Sequence, residues 1–202
     1  QHIFKNTREY SRMFNLIDYY MFPDNPIRYS KYIKLPVQER KQFLNSLREH
    51  KTPMVEIFAF VIMPNHYHLL LQQKSDNGIS KYIGNIQNSY ARYQNIKSKR
   101  FGSLFQSPFK SIRVENDEQF IHLARYIHLN PLTTYILKNE EQLNNYPWSS
   151  YTDYMSKNPR PFIKTRKLKS YFRSKEKLST FTLNRLDYQR KLERIKHLTH
   201  DI

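Results

Sequence analysis

Apolar residues run almost without a break from Val55 to Met63, which predicts a strand buried on both faces. Further strands are expected near Ile3, from His66 to Gln73 and from Phe109 to Val114. Helical spacing predicts helices near Pro36 to His50, Ile79 to Lys97 and Asp117 to Leu129. In the last of these, Phe120, Leu123, Ala124 and Ile127 recur at i, i+3, i+4 and i+7 and form a buried stripe. Asn116 or Asp117 supplies its N-cap, and Pro131 is expected to stop it at Asn130. Asp24 to Lys34 reads as a loop before the first helix. Long helices alternating with an antiparallel sheet indicate an α+β fold.

Two short segments of this pattern carry candidate chemistry. In Met63-Pro64-Asn65-His66-Tyr67-His68-Leu69-Leu70-Leu71-Gln72, the histidines stand two apart on a strand and face the same way. Their Cβ atoms are then roughly 7 Å apart, close enough for both imidazoles to meet on one divalent cation. A half-buried strand with two outward polar residues is the plainer alternative. In Tyr126-Ile127-His128-Leu129-Asn130-Pro131, Tyr126 and Asn130 lie one helical turn apart and share a face. Taken alone, that face is equally an amphipathic helix with an interfacial tyrosine. His128 is about 160° around the helix from Asn130 and points elsewhere, while His2 and His122 are poor ligand candidates.

Together these segments resemble the single-tyrosine HUH transposases, and within them the REP-associated branch. The family hallmark is a His-hydrophobe-His strand, matched by His66-Tyr67-His68, followed by a helix that resembles the Tyr126 to Pro131 segment. Phe101-Gly102-Ser103-Leu104-Phe105-Gln106-Ser107-Pro108-Phe109-Lys110-Ser111 and Tyr146-Pro147-Trp148-Ser149-Ser150-Tyr151 match its linking and closing stretches. The resemblance covers residues 1–154. It implies a ferredoxin-like antiparallel sheet with helices packed on one face and the active site on the other. It further implies that Tyr126 is the nucleophile and that His66, His68 and Asn130 hold Mg²⁺ or Mn²⁺. Many members have glutamine where this chain has Asn130, and the asparagine is similar to the REP-associated branch. The activity implied is metal-dependent cutting and joining of single-stranded DNA at hairpin-forming repeats through a 5′-phosphotyrosine. A derived protein that binds structured DNA or RNA without cutting is the alternative, and a water-using metal nuclease is a third. A monomer is expected, with a helix-exchanged homodimer as the other possibility. The chain has sixteen tyrosines, but Tyr90 and Tyr93 on the predicted helix Ile79 to Lys97 suit packing and base stacking better than nucleophilic attack.

Charge fits that partner. The net charge of +17 is a footprint for a polyanion. Cations interleave with rings in Lys81-Tyr82, Arg92-Tyr93, Lys99-Arg100-Phe101 and Tyr171-Phe172-Arg173, a mixture suited to unpaired strands. Lys81, Arg92, Lys99, Arg100, Lys110, Arg113, Lys164, Arg166 and Lys167 are the candidate nucleic-acid contacts. From Met155 onward fourteen Lys or Arg face four Asp or Glu, a net +10, so residues 155–202 read as a basic helical extension of a 1–154 catalytic domain. Ile163, Leu168, Tyr171 and Phe172 would mark its first helix, and Leu183, Leu186, Leu192 and Ile195 its second. Lys157-Asn158-Pro159-Arg160-Pro161 would be the hinge.

Other classes are excluded or disfavoured. With no cysteine there are no disulfides, thiol catalysis or Cys-based zinc sites. Three glycines and no phosphate-cradling loop argue against a nucleotide cofactor. No apolar stretch reaches membrane-spanning length and no signal peptide is visible, so a cytoplasmic protein is expected.

Overall fold

A computed structural model describes residues 2–190. Its elements are α1 (Thr7–Tyr19), α2 (Tyr29–Tyr32), α3 (Val37–His50), β1 (Val55–Ile62), β2 (Tyr67–Gln73), α4 (Gly78–Lys97), α5 (Asp117–Thr133), α6 (Glu140–Asn144), α7 (Tyr151–Met155), α8 (Thr165–Lys169) and α9 (Lys175–Leu183). The fold is α+β, as expected, with β1 and β2 paired in an antiparallel sheet. The chain forms two compact units, one of Gln1–Glu56 and Leu71–Ser111, the other of Ile57–Leu70 and Ile112–Ile202.

In the first unit, α1 is a helix that the hydrophobic pattern reading missed. Asn6 caps it, its side-chain oxygen accepting from the Glu9 N–H at 3.1 Å. Met13, Leu16 and Ile17 supply the buried stripe against α4. The strand expected near Ile3 does not form. Its carbonyl accepts instead from Gln94 Nε2 at 3.1 Å and the Tyr90 hydroxyl at 3.4 Å, so side chains of α4 take the place of a ladder. The expected loop Asp24 to Lys34 contains α2, and α1 precedes it. Tyr29 and Tyr32 are buried there among Tyr19, Tyr20 and Phe43. Gly78 opens α4 because a Cβ at that position would lie 2.4 Å from the Met54 carbonyl oxygen.

In the second unit, β1 is almost wholly buried. Its far edge is satisfied by single contacts rather than by a third strand. Val61 and Ser149 form an antiparallel bridge, and Ile57 and Ile163 a parallel one. The Ser150 N–H donates to the Phe60 carbonyl at 2.9 Å, and the Tyr154 hydroxyl donates to that of Phe58 at 2.6 Å. The expected strand Phe109 to Val114 is irregular, with Ile112 76% exposed. No side chain of that run is buried, so nothing holds it flat against a core.

Helix α5 begins as expected, with Asn116 Oδ1 accepting from the Gln119 N–H at 2.8 Å. It does not stop at Pro131, which lies inside it. An interior proline costs about 3 kcal/mol. Against this, Leu129 and Leu132 are fully buried on Leu143 and Tyr151, each contributing about 1.5–3 kcal/mol. Packing outweighs the local penalty. The Asn130 carbonyl then collects the Thr134 N–H at 3.1 Å and the Thr133 and Thr134 hydroxyls at 3.0 and 2.8 Å.

Two short helices, α8 and α9, follow in the basic segment, and residues 186–190 are helical. Leu183 and Leu186 pack on the Leu129–Leu132–Leu143–Tyr151 cluster, whereas Leu192 and Ile195 lie outside the described residues. The segment expected to be a hinge is pinned at Arg160. Its guanidinium forms a bidentate pair with Asp153 and donates to the Ser149 carbonyl at 2.7 Å and the Pro147 carbonyl at 3.0 Å.

Candidate active site

The site lies in the second unit, at the end of β1 where the chain reverses. Met63 N–H donates to the His66 carbonyl at 2.8 Å, closing a tight turn over Pro64 and Asn65. His66 leaves this turn and His68 follows in β2, so alternation brings both rings to one side. Their Nε2 atoms are 3.0 Å apart. On the other side of the His66 ring, Nδ1 is 2.7 Å from Asn65 Oδ1. An Nδ1–H donated there leaves Nε2, which faces His68, as the acceptor nitrogen of the His66 ring.

Helix α5 brings the third group. Asn130 is 3% exposed, and its Nδ2 is 3.3 Å from His68 Nε2. Its Oδ1 is buried with no hydrogen-bond partner among the described residues. Rotating the amide by half a turn exchanges the two atoms, turning the orphan oxygen toward the imidazoles. This donor set fits a divalent cation, because nitrogens 3.0 Å apart can occupy neighbouring positions around an ion with bonds of about 2.1 Å. Among the described residues no three His, Cys, Asp or Glu side chains gather at one point. The Asn130 amide oxygen is a side-chain group beside the histidine pair that could serve as a third protein ligand. One turn before Asn130, the Tyr126 ring stands edge-on to the His68 ring with centroids 5.6 Å apart. The structure thus brings His66, His68, Asn130 and Tyr126 together.

Residues 30–130, half of the chain, match the model of a protein family described as "Transposase IS200 like". The chain belongs to the IS200-like transposase family. No curated protein and no solved structure gives a significant match. Members of this family process DNA in transposition, and they generally use a divalent metal. No helix among the described residues of this transposase is long and apolar enough to cross a membrane.

The remaining residues sort by surroundings. Tyr90 is fully buried and burial pushes its hydroxyl well above the usual range, which suits packing. In the first unit, Lys81 and Arg92 stand exposed on α4, Lys99 and Lys110 are exposed in the following loop, and Arg100 is half-buried there. In the second, Arg113, Lys164 and Arg166 are exposed. Lys167 is exposed too, but its ammonium stands 3.7 Å from Asp117 and over the Phe120 ring.

Sequence reasoning missed the support behind the transposase site. His128 faces away from the metal candidates, as expected, and is fully buried. Its Nε2 is 2.9 Å from Ser150 Oγ, which also accepts from the Phe60 N–H at 2.9 Å. Nδ1 has no partner. Placing the proton on Nε2 leaves no buried N–H unpaired. α5 is thereby fastened to β1 directly behind the Tyr126–Asn130 face. The one signal available was the buried side of α5 itself, since Ser150 and Phe60 lie 22 and, from Ser150, 90 residues away.

Burial holds the His128 pKa down at about 3, against 6.5 for an unperturbed ring. Because the folded-state value is the lower one, unfolded chains take up this proton first. The contribution to stability is complete above about pH 6.5 and is lost as pH falls toward 3. Thermal melts of the wild type should therefore decline more steeply between pH 6.5 and 5 than those of His128→Gln. Parallel curves would show that His128 is not the group responsible.

Proposed function

We propose that this transposase cuts and rejoins single-stranded DNA, with Tyr126 as nucleophile and His66, His68 and Asn130 as ligands of Mg²⁺ or Mn²⁺. The observation that carries the reading is the convergence of the 3.0 Å histidine pair, the Asn130 amide and the Tyr126 ring on one spot. The Tyr126 oxygen attacks the scissile phosphorus and its proton leaves to water. A new P–O bond to tyrosine forms as the bond to the 3′ oxygen breaks, and that oxygen takes up a proton. The products are a 5′-phosphotyrosine and a free 3′-hydroxyl. Attack by another 3′-hydroxyl reverses the step, so the bond energy is retained and no nucleotide cofactor is needed. The metal would polarise the phosphate and offset the charge that builds on it. His66 and His68 hold the site on a rigid hairpin, and Asn130 sits on the same helix as the nucleophile, so the two move as one body.

We further assign the chain to the REP-associated branch, acting on hairpin-forming repeats as a cytoplasmic monomer. The Asn130 ligand supports this, being the shorter amide of that branch. Residues 1–154 would form the catalytic domain and residues 155–202 a basic extension gripping the hairpin stem. The net +10 of the extension and the exposed Lys164 and Arg166 support that role. Binding should then weaken by orders of magnitude between about 50 and 200 mM salt. A nearly flat salt response in a titration of labelled hairpin DNA would remove the electrostatic part of the reading.

Incubating the protein with labelled single-stranded hairpins and Mg²⁺ or Mn²⁺, then running a denaturing protein gel, tests the chemistry. A covalent band that EDTA abolishes is expected. Cleavage without a band would make water the nucleophile, and binding with neither would favour a non-cutting DNA or RNA binder.

A further inference from the structure

A second feature of the first unit remains outside this chemistry. A cavity of about 520 Å³ is lined by residues that include Lys5, Glu9, Gln94, Lys97 and Arg100. That volume falls in the range of small-ligand sites. Among the described lining residues Glu9 is the one carboxylate, and it is already engaged by the Lys97 ammonium at 2.5 Å and the Lys5 N–H at 2.6 Å. The lining is therefore left with a positive excess.

Between the lining residues Arg100 and Ser103, the chain presents Phe101 with 95% of its surface exposed. Its neighbour four residues on, Phe105, packs on Tyr90 with ring centroids 6.0 Å apart. The turn that holds Phe101 outward is fastened on both sides. Asn95 accepts from the Arg100 N–H at 3.0 Å through its carbonyl, and its side-chain amide donates to the Gly102 carbonyl at 2.9 Å. Arg100 Nη2 donates to the Ser103 carbonyl at 3.2 Å. The turn also requires left-handed backbone at Lys99 (φ +48°) and Gly102 (φ +91°). At Lys99 that geometry is one that residues with a side chain rarely adopt. An anchored turn thus keeps a large apolar ring in water between cations, an arrangement that hydrophobic burial alone opposes.

We propose that this turn and cavity form a binding site for one unpaired nucleotide of single-stranded DNA, with the base stacked on Phe101 and the phosphate held by Lys99, Arg100 and the basic lining. Charge complementarity selects a polyanion over an apolar partner, and a ring with both faces open selects a base. The proposal rests on the DNA reading above.

Fluorescence anisotropy with full-length protein, in EDTA so that nothing is cut, tests it on a labelled single strand and on a blunt duplex. Phe101→Ala should weaken single-strand binding about tenfold and change duplex binding by less than twofold. Phe101→Trp, which keeps a flat ring, should retain affinity. Because the ring is exposed, both variants should melt at the wild-type temperature. Unchanged single-strand affinity in Phe101→Ala overturns the proposal, as does equal weakening on duplex. A change in sedimentation without a change in DNA affinity also overturns it, making Phe101 a contact between copies of the chain. If the wild type bound no single strand, the DNA reading itself would fall. If it bound single strand and Phe101→Ala matched it, only this site would fall.

Discussion

Tyr126→Phe should form no covalent protein–DNA adduct and should cut hairpin DNA at least about 10³-fold more slowly than the wild type. The substitution removes one oxygen and keeps the ring that stands 5.6 Å from His68, so the histidine pair and Asn130 keep their supports. Hairpin affinity should stay within about twofold, since a single hydroxyl contributes little to binding spread over many phosphate contacts. Gel analysis of adduct and cut strand, run beside a binding titration, separates the two quantities. Residual adduct at the wild-type level would move the nucleophile to another tyrosine. The other tyrosines on the helices nearest in sequence make poor substitutes, Tyr90 above all, because it is buried and its proton is held more tightly.

Asp153→Ala is expected to cost about 3 kcal/mol of stability. The Asp153 side chain is 3% exposed and accepts from the Arg160 backbone N–H at 2.8 Å as well as from its guanidinium. Removing it leaves a cation in a partly buried position, a loss measured at about 3–5 kcal/mol for such pairs. The lower figure applies because Arg160 keeps its bonds to the Ser149 and Pro147 carbonyls. For a chain of this length the melting temperature should fall by about 10 °C. Arg160 braces the Ser149–Ser150 segment, and Ser150 is the partner of His128 behind α5. Activity should therefore fall along with stability, and low temperature should restore part of it. A melting point within 2 °C of wild type would mean that the pair contributes nothing net.

The hairpin, α3, α4 and the start of α5 are legible from local pattern: a continuous apolar run for β1, helical spacing for α3 and α4, and the Asn116 cap for α5. Helix α1 carried comparable signals in Asn6, Glu9 and the Met13–Leu16–Ile17 stripe, but a lone apolar Ile3 drew attention to a strand instead. Its carbonyl goes to Gln94 and Tyr90, 91 and 87 residues away, which no local pattern reports. Pro131 lies inside α5 rather than ending it for a similar reason. The rule that proline ends a helix is local, whereas Leu129 and Leu132 are held by Leu143 and Tyr151 from later in the chain. At the site, the spacings within His66–His68 and Tyr126–Asn130 were visible in the sequence. What brings the two pairs together was not, since it depends on the contact of Asn130 with His68 and on the His128–Ser150–Phe60 tie.

The most direct measurement of the central claim is peptide mapping of the covalent adduct formed with a hairpin oligonucleotide and Mn²⁺. After digestion of the DNA to a short remnant and of the protein to peptides, mass spectrometry should find the nucleotide mass on Tyr126 alone, joined through a 5′ phosphate. A remnant on any other residue, or a 3′ linkage, would contradict the account.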